Sequence, residues 1–161
     1  MTVNPGLEQF VKVTFEAREA DLQTFLTPVL VLVAWTCVMW IWLYITRLPA
    51  MQKAKVSPQA ARHPDAGWKE KLPAMARSVS DNYNHLHEQP TIFYAIMGFA
   101  ALTGGVDATG LALAWAYVGL RIVHSLVQSI IGNVTLRFGI FSLASFALIA
   151  LVVKEVLRVF L

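Results

Sequence analysis

The residue types suited to binding and proton chemistry crowd one stretch, Arg77 to Tyr94, which reads R-S-V-S-D-N-Y-N-H-L-H-E-Q-P-T-I-F-Y and passes directly from polar to apolar. Read as a helix, it gathers Arg77, Asp81, Asn84 and Glu88 on one face at offsets of four, seven and eleven, the spacing of side chains stacked along a helix. Tyr117, Arg121, His124 and Gln128 repeat the same offsets farther on. In so apolar a chain both faces are expected to turn inward, where they either build a site between helices or hydrogen-bond to each other as membrane glue. Arg121 falls near the middle of an apolar segment, where a charge costs at least ~2.5 kcal/mol and needs a partner. Glu88 and Arg121 lie at similar depth from their adjoining turns, about 16 Å at helical rise. The expectation is that they pair inside the bundle.

His85, His87, Glu88 and His124 are metal-ligand types, but two histidines two apart on a helix point to different sides and do not chelate one ion. No metal site is expected. No nucleophile elbow, phosphate loop or dinucleotide fingerprint occurs, so serine acyl transfer, nucleotide hydrolysis and Rossmann redox chemistry lack support.

The elements that must position these residues follow from composition. The chain has 161 residues, 57% hydrophobic and 14% charged, with a mean hydropathy of +0.56, which describes a membrane protein rather than a soluble or disordered one. The net charge is only +3, and its basic residues crowd between Arg47 and Arg77 instead of following a phosphate backbone, so no nucleic acid partner is expected. A lone Cys37 excludes an intrachain disulfide.

Residues 1–23 mix charges with Leu7, Phe10, Val11, Val13 and Phe15. They lack the order of a signal peptide and form an amphipathic N-terminal extension, read as a helix on the membrane surface, a docking segment for a membrane protein partner, or a solvated tail. Residues 24–161 form the membrane domain, with spans at about 25–46, 77–103, 109–131 and 137–158. The first lacks charge from Phe25 to Ile45, enough at helical rise to cross the ~30 Å hydrocarbon layer. Arg47 and Pro49 are expected to close it, and the basic, proline-punctuated loop 47–76 then faces the cytoplasm by the positive-inside rule. Both termini come out on the opposite side.

In combination, the R-x6-N-x5-P pattern of Arg77, Asn84 and Pro90, the R-I-V-H of Arg121 to His124, and Arg137 sixteen residues after Arg121 resemble the MAPEG family, the membrane-associated proteins in eicosanoid and glutathione metabolism, in a bacterial-type member. The resemblance covers about Thr24 to Leu161. It implies a homotrimer of four-span protomers in a bacterial inner membrane, with glutathione held between subunits near the cytoplasmic face. It also implies conjugation, peroxide reduction or isomerisation of lipophilic substrates. Carried over, Arg77 and Asn84 hold glutathione, Arg121 and His124 match the R-x-x-H pair of the third helix, and Arg137 stabilises the thiolate, since a guanidinium stays charged and lowers a nearby thiol pKa. The chain departs from the family at three places: His87 stands where the family has a glutamate, with Glu88 one step later; Gln128 replaces a tyrosine of the prostaglandin-synthase branch; and Ser80 and Asp81 stand where several members carry an arginine.

The expected fold is therefore an all-α integral membrane four-helix bundle, homotrimeric and MAPEG-like. The expected function is a glutathione-dependent transferase or peroxidase for lipophilic electrophiles, with Arg137 catalytic and Arg77, Asn84, Glu88, Arg121, His124 and Gln128 at the cofactor. The rival is a non-catalytic membrane module packing in a larger complex, which the N-terminal extension favours; a proton or ion carrier using Glu88, Arg121 and His124 is a third reading.

Overall fold

The computed structural model describes residues 5–63 and 67–161; residues 1–4 of the amphipathic start and Pro64 of the basic loop lie outside it. The described chain is all-helical: α1 (Pro5–Lys53), α2 (Ala74–His85), α3 (Gln89–Leu102), α4 (Ala108–Leu126) continuing into a π-helical turn (Val127–Ile131), and α5 (Val134–Phe160), with short 3-10 turns at Ala60–Arg62 and Lys69–Lys71. Among the described residues, α1, α4 with its π turn, and α5 are long and apolar enough to cross a membrane. Helices α2 and α3 follow one another across a break at residues 86–88 and together make the fourth member of the helical bundle.

Helix α1 runs for 49 residues without a stop, about 73 Å at helical rise and far more than the hydrocarbon layer needs. The amphipathic start joins the first span as one rod. Pro49 does not close the span as expected: proline removes one backbone bond, yet the helix continues to Lys53 because Ala50 is anchored in a small second core with Val56, Trp68, Leu72 and Ala76. The basic loop is thus folded onto the end of α1, with Arg47 stacked 4.9 Å over the Trp68 ring and Trp68 Nε1 donating to the His63 carbonyl at 3.1 Å.

The main core lies along one seam of α1, where Phe25, Leu32 and Met39 recur at seven-residue intervals, followed by Leu43. Against it pack Phe93, Met97 and Ala100 of α3, Ala114, Tyr117 and Val118 of α4, and Ala144, Leu148 and Leu151 of α5. Small residues at these positions let helices approach closely where lipid offers no hydrophobic drive between them. Helix α4 is the inner helix: 44% of its most apolar window is buried, against 17% in α1 and α5.

Capping sets the ends that matter. Asp107 accepts the Gly110 N–H at 2.7 Å to start α4, and Asn133 accepts the Leu136 N–H at 2.9 Å to start α5. Between α4 and α5, Gly132 adopts a left-handed φ of 70°, which glycine reaches without the Cβ penalty. That reversal brings the first turn of α5, with Arg137, back against the end of α4.

Candidate functional site

The site begins with a proline. Pro90 lies in the first turn of α3; it has no N–H to give, and its ring crowds the carbonyl four residues earlier. The helix accordingly ends at His85 and restarts at Gln89. The His87 N–H turns back to the Asn84 carbonyl at 2.9 Å, while the Glu88 carbonyl accepts the Thr91 hydroxyl at 2.6 Å. A break of this kind frees backbone carbonyls inside an apolar bundle, where each must find a donor. Arg121 is that donor: fully buried on α4, it gives Nη2 to the His85 carbonyl at 2.6 Å.

This overturns the expected pairing of Glu88 with Arg121. Glu88 lies in the break, its side chain 65% exposed, with Oε2 2.9 Å from His85 Nδ1. Both residues thus hold His85, Glu88 by its ring and Arg121 by its backbone. Uninterrupted helical spacing would have carried Glu88 inward, but the break turns it out. The stripe of Arg77, Asp81 and Asn84 is likewise not aimed inward: all three are exposed, because Ala76, Val79 and Asn82 take the inner face of α2.

The stripe on α4 does face inward. Tyr117, Arg121, His124 and Gln128 are all buried, joined by Ser125 and Ser129. Around Arg121, the Phe141 ring lies 5.8 Å from the guanidinium carbon and also 5.8 Å from the His124 ring. Among the described residues Arg121 Nε and Nη1, His124 Nδ1, and both side-chain polar atoms of Asn82 and of Gln128 are buried without a partner. Asn82 escaped the sequence reading because Asn84 carried the motif; its signal was the helical offset of three from Val79 and six from Ala76.

Two cavities divide the sequence-predicted residues. One, of about 190 Å³, is lined by His85, His124, Arg137, Val134, Phe138 and Phe141. It brings Arg137 of α5, half-buried, to the histidine of the broken helix and the histidine of α4, whose rings lie 6.4 Å apart. The other, of about 320 Å³, sits under the folded loop and contains Arg77 and Asp81 with Arg47, Trp68 and Lys69. Asn84, Glu88, Arg121 and Gln128 line neither. The first arrangement suits an anion or an ionisable proton donor, since it combines a fixed guanidinium with imidazoles in an apolar surround. Among the described residues no three histidines, cysteines or carboxylates gather as a metal would require.

The family model for MAPEG matches residues 25–157. The chain belongs to the MAPEG family. No curated protein and no solved structure gives a match. MAPEG membership accounts for the membrane helices, and the family includes glutathione transferases and peroxidases. The part of α1 before residue 25 lies outside the MAPEG match.

Proposed function

We propose that this MAPEG protein is a glutathione-dependent transferase or peroxidase acting on lipophilic electrophiles, working as a homotrimer. The observation that carries the reading is the convergence of Arg137, His124 and His85 on one cavity, backed by Arg121 with two guanidinium nitrogens still unpartnered. Buried donors of that kind are costly unless a ligand or water uses them, and an anionic tripeptide suits them. The fit is partial within one protomer. At about 190 Å³ the cavity is smaller than the ~300 Å³ or more of a typical ligand site, so the exposed Arg77 and Asn84 of α2 are read as part of the surface a neighbouring copy completes.

In this reading glutathione supplies the nucleophilic sulfur. Arg137 holds negative charge as it develops there, Arg121 keeps the His85 backbone fixed, and Arg77 and Asn84 grip the peptide. Phe138 and Phe141 keep water from the reacting end and give a lipophilic substrate a wall reachable from the bilayer. The same reading has loop 47–76 face the cytoplasm, as its basic residues suggest, where glutathione is water-accessible. The test is conjugation of a chlorinated aromatic electrophile by the purified protein: thiol-dependent product is expected, and its absence with both that electrophile and a lipid hydroperoxide would reject the activity.

One observation favours a second reading, a non-catalytic membrane module. Phe10, Val11, Val13 and Phe15 are exposed on the α1 extension, outside the family match. This reading predicts a protein retained on mild purification and lost when residues 1–23 are removed.

A further inference from the structure

His85 stands out once the helix break is understood. His85 lines the 190 Å³ cavity beside Arg137 and His124, and its Nδ1 lies 2.9 Å from Glu88 Oε2. Among the described residues its Nε2 has no hydrogen-bond partner, and its backbone is held by Arg121 at 2.6 Å. An imidazole whose one nitrogen is bound by a carboxylate has its tautomer and ring orientation set, which leaves the other nitrogen free to accept a proton. Sequence spacing gave no sign of this pairing, because Glu88 was expected to point inward.

We propose that His85, oriented by Glu88, is the general base of this site. The proposal rests on the glutathione reading above. In the step assigned to it, His85 Nε2 takes the proton of the bound thiol, the S–H electron pair stays on sulfur, and the imidazolium formed is balanced by the Glu88 carboxylate. The histidine later returns that proton to water or to the product. Arg137 of α5 is the charge that holds the sulfur. The groups facing His85 divide cleanly: Arg121 and His124 from α4, Arg137 from α5, and Glu88 from its own segment. Glu88 is the one carboxylate among these groups and lies against the ring that takes the proton. Glu88 acts only through His85 and is a positioning residue.

The test uses the full chain in detergent, with His85→Gln, Glu88→Gln and Glu88→Asp. Glutathione affinity is measured by calorimetry, and the fraction of bound thiol that is ionised by ultraviolet absorbance across a pH series. Because affinity is measured separately, the ionised fraction is compared per bound thiol in wild type and in each variant. In His85→Gln the ionised fraction near neutral pH should fall at least tenfold, in Glu88→Gln by less, and Glu88→Asp should recover part of the loss. Should His85→Gln fail to fold, the two Glu88 variants, altered at an exposed position, carry the same comparison. Wild-type binding with an unchanged ionised fraction in both His85→Gln and Glu88→Gln would overturn this proposal alone. Absence of glutathione binding in wild type would overturn the proposed function and this inference together.

Discussion

At the residue scale, Arg121 shows what a charge needs in order to stay inside an apolar bundle. It is fully buried, and the bond it makes is not to a carboxylate but to the His85 backbone carbonyl, left without a helical donor by the break before Pro90. Changing Arg121 to Met keeps much of the volume and removes the donor, so an unpaired buried carbonyl should cost about 1–3 kcal/mol, read as a lower unfolding temperature in detergent. Glu88→Gln should change the same temperature little, by less than ~1 kcal/mol, because its pair with His85 is exposed. If Glu88→Gln destabilised as strongly as Arg121→Met, the carboxylate would be bracing the interior after all. The inward face of Tyr117, Arg121 and His124 was legible in the sequence, since α4 is unbroken and keeps its offsets, and Gln128 stays buried in the π turn that follows. The partner of Arg121 was not, because spacing counts side chains and the acceptor turned out to be a backbone group.

At the element scale, the break between α2 and α3 and the turn between α3 and α4 are the two places where local chemistry decides geometry. Pro90→Ala restores the missing N–H and should let the helix run through; circular dichroism would show slightly more helix, while glutathione affinity falls as His85 leaves the cavity. Unchanged affinity would detach the break from the site. At the opposite end, Glu155 is buried to 1% exposure, bound by Lys154 at 2.7 Å and Arg158 Nε at 2.9 Å, and Gly105 lies against it. A Cβ on Gly105 would fall 2.5 Å from Glu155 Oε2, so Gly105→Ala should lower stability by about 1–3 kcal/mol through overpacking. Beside it, burial pushes the Asp107 carboxyl up, but the Gly110 N–H, Lys154 and the Thr109 N–H together hold it below its ordinary range. The stability Asp107 contributes is therefore present above the unfolded carboxylate value near ~3.9 and lost as pH falls through the lower folded value. Asp107→Asn keeps the cap and loses the Lys154 pair, so its unfolding temperature should fall less steeply in acid than that of wild type. The positions of the helices themselves were readable from apolar runs and the Gly, Pro and Asn punctuation. The helix break was not, since a single proline inside a polar-to-apolar run is compatible with a continuous first turn.

At the scale of the whole molecule, the exposed stripe of Arg77, Asp81 and Asn84 and the small cavity at Arg137 both make sense if neighbouring copies close the site. The proposed trimer predicts a mass of three protomers in detergent and cross-links between copies from α2. The α1 extension predicts the reverse for ligand binding: removing residues 1–23 should leave glutathione affinity within about twofold, because that segment lies outside the family match and far along the rod from the cavity. Membership of the family could be read from three short motifs in the chain. How the motif residues divide between two cavities could not, because that depends on which face of α2 its small residues Ala76 and Val79 claim. The measurement that bears most directly on the account is calorimetric titration of glutathione into the solubilised full chain, wild type beside Arg137→Ala. Saturable binding in wild type, weakened at least about tenfold in the variant, or about 1.4 kcal/mol, is the predicted result; no heat of binding in wild type, or equal binding in both, would contradict it.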